Sequence, residues 1–147
     1  MAGTTPTQRT LKALQANGFK CAVVEKWVPL SSEGTAGSFA AANFKKAGGY
    51  RKDAFGFIDI LVLDGKPGCL AVQACGATGF AEHLRKIDSI EEVRDWLAAG
   101  NRLELWSWRK EKVEGRERWR AKVAPLAEKD GRILTAYQIA ALDDLLC

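Results

Sequence analysis

The stretch from Ala54 to Cys75 constrains the fold more than any other. Two runs, AFGFIDILVL (54–63) and CLAVQAC (69–75), are almost wholly apolar, and the DGKPG between them (64–68) is dense in turn residues. Runs this apolar belong to strands covered on both faces, as in the centre of an α/β sheet. Each carries one polar intruder, Asp59 in the first and Gln73 in the second. Folding about the turn lets both project at one end of a hairpin. A buried lone carboxylate is costly unless something compensates it. Two oxygen donors meeting there could hold a hard cation such as Mg²⁺, which takes carboxylates, amide oxygens and waters. The alternative is a buried hydrogen-bonded pair that fixes the hairpin.

The flanking sequence supplies the rest of an α/β domain. Pro6 followed by TQRTLKALQANG predicts a helix with Leu11 and Leu14 on one face, stopped by Gly18. FKCAVVEKWV (19–28) reads as one strand ended by Pro29. Residues 31–49 are the least patterned, a loop or a short helix about Phe39–Lys46. After the hairpin, Phe80–Ile87 is helical in pattern. Ser89 with Glu92 forms a capping-box pattern for a second helix over Ile90–Ala99, which Gly100 ends. RLELWSWR (102–109) and ERWRAKVAPL (117–126) are strands joined by a turn at Glu114–Gly115. Thr135 caps a last helix expected to pack Ile139, Leu142 and Leu146 onto the body. The order predicts a mixed central sheet with helices on its faces. At 147 residues the chain is expected to form a single domain, with a core over about 7–109 and a C-terminal basic hairpin and helix over 110–147.

Charge is concentrated. The chain carries a net +4, and residues 109–122 hold Arg109, Lys110, Lys112, Arg116, Arg118, Arg120 and Lys122 against Glu111, Glu114 and Glu117. A local basic stretch is what a phosphate backbone recognises. Trp106, Trp108 and Trp119 interleave with these cations. They either stack on bases or, by alternation, enter the core. The cysteines at 21, 69, 75 and 147 form no C-x-x-C pair, and His83 is the only histidine, so a zinc finger is excluded and reduced thiols are expected. No run reaches the length of a membrane span, no targeting signal is visible, and an intracellular, cytoplasmic protein is expected.

An Asp, a short hairpin and an acidic or amide residue on the return strand resemble the signature of the PD-(D/E)xK nuclease superfamily. Within it, RKDAFGFID (51–59) followed by AVQ (71–73) looks like small phage and bacterial proteins described as Holliday-junction-resolvase-like or VRR-NUC-like endonucleases. The resemblance implies a restriction-endonuclease-like αβββαβ core over roughly two-thirds of the chain. It also implies Mg²⁺- or Mn²⁺-dependent cleavage of DNA, branched or otherwise structured, in a bacterial or phage-infected cell, with a homodimer as a common form.

Carried over by position, Asp59 and Gln73 bind the metal together with the Ala74 carbonyl. Cys75 stands where the family has its catalytic lysine. Lys86, beside Arg85 on the following helix, is the candidate replacement, and His83 is a second. Glu25 and Asp53 are further candidate ligands, the alternative being edge carboxylates paired with Lys26 or Lys52. Arg51, Lys52, Arg85, Arg109, Lys110, Arg116, Arg118 and Arg120 are the expected DNA contacts. The missing lysine at 75 keeps other readings open: a nuclease-fold protein that binds nucleic acid without cutting it, or a phage structural or host-interaction protein.

Overall fold

The computed structural model describes residues 3–29 and 49–146. The expected loop or helix over 31–48 and the thiol of Cys147 lie outside the described residues. Helix α1 (Pro6–Ala16) is followed by strands β1 (Lys20–Val23), β2 (Lys26–Pro29), β3 (Gly49–Lys52), β4 (Ile60–Leu63) and β5 (Leu70–Gly76). Helices α2 (Phe80–Asp88) and α3 (Glu91–Ala98) come next. The chain ends with β6 (Arg102–Val113), β7 (Arg116–Lys129), β8 (Arg132–Thr135) and α4 (Ala136–Leu146). Six strands form one mixed sheet in the order β1-β4-β5-β6-β7-β8, in which β5 and β6 run parallel and the other pairs antiparallel.

The apolar hairpin lies in the middle of this sheet and is covered on both sides. Against α2 and α3 the sheet packs Phe57, Ile58, Ala71, Leu103 and Leu105 around Ile87 and Val93. Against α1 it packs Ile60, Val62, Val72, Trp106 and Trp108 around Leu14. Trp106 and Trp108 are therefore core residues. Trp108 donates its indole N–H to Thr10 Oγ1 at 2.8 Å, and Thr10 in turn donates to the Pro6 carbonyl. Thr5 and Gln8 form the capping box that starts α1.

Four expectations need correction. Residues 19–28 are two strands in two sheets: β1 joins the main sheet, while β2 pairs with β3 in a separate ribbon. The break falls at Val24 and Glu25, whose N–H groups turn to the Asp59 carbonyl at 2.9 and 3.4 Å. The run 54–63 is a strand only from Ile60. Ala54–Phe57 is a tight turn with Phe55 and Gly56 at φ 53° and 82°, closed by the Ala54–Ile58 bridge.

Ser89 does not cap α3. Its hydroxyl donates to the Lys86 carbonyl at the end of α2, and Ile90 becomes a side-chain-free N-cap because the two helices abut. In α4 the Thr135–Gln138 capping pair forms, and Ile139 is half-buried. Leu142 and Leu146, however, are exposed, since α4 rests on the last two strands at the sheet margin and no described residue forms a layer beneath its far end.

Candidate metal centre

The centre forms where β4 runs out and β5 continues. The Asp59 N–H is drawn to the carbonyl of Val72, whose register partner is Ile60, so two residues of one strand crowd one of the other, as at a bulge. The strand bends there, and the Asp59 side chain lies along the open edge of β5. Its Oδ2 accepts the Ala74 N–H at 2.8 Å. The N–H and C=O of one strand residue point to the same side. The Ala74 carbonyl therefore also faces this edge, beyond the last residue of β4.

Each departure from regular strand delivers another group. The β1–β2 break at the Asp59 carbonyl brings in Glu25, and the Ala54–Phe57 turn holds Asp53 beside the end of β5. Carboxylate oxygens of Glu25, Asp53 and Asp59 lie within 4.8 Å of one another. Gln73 donates its amide N–H to Asp53 Oδ2 at 2.9 Å, and its Oε1 is buried with no partner among the described residues. Lys86 Nζ reaches the same Asp53 oxygen at 3.4 Å from α2, and Arg51 pairs with Glu25 at 2.9 Å. Glu25 and Asp53 are thus paired with Arg51 and Lys86, not with Lys26 and Lys52.

These groups line one open cleft of about 200 Å³ at the end of the sheet, together with His83 and the first turn of α1. His83 Nδ1 lies 2.8 Å from the Gly79 carbonyl, which anchors the ring to its own helix. The presence of Thr5, Pro6 and Thr7 in the cleft was not expected. Its trace in the sequence is the Thr5–Pro6–Gln8 helix start, whose direction toward the acidic cluster only the packing of α1 reveals.

Electrostatics set this cluster apart from a surface patch. Asp59 is 3% exposed, and burial pushes its carboxyl up to about 8. A hydrogen bond with Asp53 and the negative charges of Asp53 and Glu25 push the same way, while the Ala74 N–H pulls it down. Without a cation the site is short of positive charge.

The donors fit one. Oxygens around Mg²⁺ at about 2.1 Å lie roughly 3–4.2 Å apart, so a set already within 4.8 Å closes on an ion by small side-chain shifts. Three carboxylates, a carbonyl and an unpartnered amide oxygen make a hard-oxygen set that suits Mg²⁺, Mn²⁺ or Ca²⁺. Gln73 joins it through Oε1 only after its amide turns over, exchanging its hydrogen bond to Asp53 for the ion.

Cys75 does not line the cleft. It is buried in the core against α2, and burial, with Asp59 nearby, holds its thiol at about 11, so it is neutral and cannot stand in for a lysine. Cys21, Cys69 and Cys75 are all free thiols.

The expected basic residues divide by place. Arg51, Lys52 and Arg85 are exposed on the elements that frame the cleft. Arg109, Lys110, Arg116, Arg118 and Arg120 sit on the far half of the β6–β7 hairpin, where Glu111 pairs with both Arg109 and Arg120 and Glu117 with Lys110. Trp119 is half-exposed under the Arg9 guanidinium, 3.5 Å from its ring centre, so one indole face is taken. Among the described residues no helix is long and apolar enough to cross a membrane. No protein-family model, curated protein or solved structure matches the chain.

Proposed function

We propose that the protein is a metal-dependent endonuclease that hydrolyses phosphodiester bonds in DNA. One observation carries the reading: three carboxylates converge within 4.8 Å around the open edge of β5, with Lys86 3.4 Å from Asp53. The order α1, β1, β4, β5, α2, β6 supports a restriction-endonuclease-like core. The resemblance of residues 51–59 and 71–73 adds branched or structured DNA as the substrate.

A Mg²⁺ or Mn²⁺ ion held here supplies Lewis acidity toward a phosphoryl oxygen and acidifies water. The residues divide the remaining work. Asp59, fixed by the Ala74 N–H, and Asp53 and Glu25 hold the ion. Lys86, half-exposed at the mouth of the cleft, places an ammonium where negative charge grows on the phosphoryl group. Arg51, anchored on Glu25, offers a guanidinium to the flanking phosphate. The first turn of α1 adds the positive end of a helix to the same wall.

The test is cleavage of supercoiled plasmid and of a synthetic four-way junction with Mg²⁺, Mn²⁺ or EDTA. Nicking that needs the metal and vanishes in Asp59→Asn is expected. Equal activity in wild type and variant overturns the proposal. Tight DNA binding with no cleavage under any divalent metal selects a second reading, a nucleic-acid-binding protein on a nuclease-like scaffold. The neutral Cys75 at the usual lysine position is the observation that favours it.

A further inference from the structure

The hairpin β6–β7 is longer than the sheet it belongs to. The last pairing between β5 and β6 is Gly76 with Trp108, and β8 pairs with the opposite end of β7, so among the described residues the hairpin continues beyond Trp108 as a two-stranded arm. It leaves the sheet at the end of β5 where the acidic cleft opens. Residues directly opposite in an antiparallel pair share a face. One face of the arm therefore carries the pairs Ser107/Lys122, Arg109/Arg120, Glu111/Arg118 and Val113/Arg116. The other carries Lys110/Trp119 and Lys112/Glu117.

The cations are sorted between these faces. Lys122 lies over the ring of Phe80, 4.3 Å from its centre, which places its row on the α2 side, the side from which Lys86 reaches the cleft. Trp119 sits under Arg9 of α1, which places its row on the opposite side. The α2 side thus has Arg109, Arg116, Arg118, Arg120 and Lys122 against the single carboxylate of Glu111. Like charges directly opposite each other, as at Arg109/Arg120, oppose strand pairing, and Glu111 bridges both at 2.8 and 3.2 Å. An arm kept only for stability has no use for such a row.

We infer that the α2-side face of this arm is a clamp for a nucleic-acid backbone that continues into the metal cleft. The direction of that path rests on the nuclease reading; the binding itself does not. From the Lys122 row to the Arg116 row the arm spans roughly 20 Å, the rise of about six base pairs at 3.4 Å each. Cations at alternate residues of β7 repeat every ~7 Å, a spacing commensurate with two such steps. The row exposes no large apolar side chain, which sets it apart from a surface that enters lipid.

The experiment measures binding of a fluorescent 20-base-pair DNA duplex to full-length Asp59→Asn protein in EDTA, across a salt series and without cleavage. A triple variant, Arg116→Ala, Arg118→Ala and Arg120→Ala, is compared with Lys110→Ala, Lys112→Ala on the other face, where the clamp, unlike the sequence expectation for Lys110, puts no DNA contact. Thermal melts check that both remain folded. The triple variant is expected to weaken binding at least tenfold at low salt and to flatten the slope of log K against log salt by about 2–3. The two-lysine variant is expected to leave affinity within about twofold and the slope reduced by less than one. Equal loss in both variants, no loss in the triple variant, or a parent protein that binds phosphatidylserine vesicles but no duplex overturns the clamp. Failure of the nuclease reading shows instead as absence of metal-dependent cleavage, with the asymmetry between the two faces intact.

Discussion

The Oδ2 of Asp59 accepts the Ala74 N–H at 2.8 Å, so a side chain finishes the ladder that β4 leaves incomplete. This bond places a buried carboxylate where the chain has no regular strand to offer, and it separates the fold's need for an acceptor from any need for charge. Asn keeps the acceptor, and its amide N–H can replace the proton shared with Asp53. Asp59→Asn is therefore expected to fold and, without metal at pH 9, to be more stable than wild type by roughly 1–3 kcal/mol. Urea unfolding at pH 5 and pH 9 checks this, with the difference expected to shrink at pH 5. A variant less stable at both values would show that the charge itself holds the site together.

The wild-type pH dependence follows from the same group. Asp59 has a raised carboxyl pKa, about 8 against 3.8. The native state therefore holds a proton that the unfolded chain has lost between those values. Its contribution is fully present below about pH 4, declines as pH rises, and is gone above about pH 8. A bound cation replaces that proton. At a hundred times its Kd, Mn²⁺ adds about 2.7 kcal/mol, or roughly 5–10 °C in Tm. Differential scanning calorimetry is expected to give a larger Mn²⁺ shift at pH 8 than at pH 5, and none at either pH in Asp59→Asn.

At the other end of the hairpin, Arg102 grips Asp64 through two bonds of 2.6 and 2.7 Å and also reaches the Pro67 carbonyl. The Arg102 guanidinium holds the Asp64 carboxyl down at about 2. Stability from this pair is present above the ordinary carboxylate range and is lost as pH falls through about 2. Asp64→Asn is expected to cost about 1–3 kcal/mol at pH 7. Denaturant titrations at pH 7 and pH 2 are expected to show that difference closing.

Asp59 and Gln73 are conspicuous in the sequence because polar residues rarely interrupt such apolar runs, and the DGKPG hairpin brings both to one cleft, where Gln73 bonds Asp53 and not Asp59. Glu25 and Asp53 are legible only as acids near strands. What gathers them is a strand break, set by the long-range bonds of Val24 and Glu25 to the Asp59 carbonyl, and a left-handed turn at Phe55–Gly56, closed locally between Ala54 and Ile58 inside a run whose apolar character reads as strand. Periodicity likewise reads β7 correctly as a strand but cannot say that it outruns the sheet. That depends on where β5 stops. The same limit hides β8 and the exposed end of α4, because both are decided by which layer the sheet margin leaves uncovered.

Under the proposed nuclease reading, Lys86 is the residue on which cleavage is expected to depend most beyond the acids, because Cys75 is neutral and faces the core. It sits on α2, half-exposed, with Asp53 as its partner among the described residues. Removing its ammonium takes away charge at the phosphoryl group and leaves all three carboxylates in place, at the cost of the ion-pair partner of Asp53. Lys86→Ala is expected to lower the cleavage rate by about 10²–10³. Lys86→Arg is expected to recover part of that rate, because it keeps the charge with a different reach. Single-turnover cleavage of a junction with saturating Mn²⁺ measures the rate, and calorimetric titration measures the ion's Kd, which is expected to change by no more than a few-fold. A rate unchanged in Lys86→Ala would mean that the phosphoryl charge is met from elsewhere, with Arg51 the next group to remove. A Kd that rises in step with the lost rate would place Lys86 in support of Asp53 rather than at the substrate.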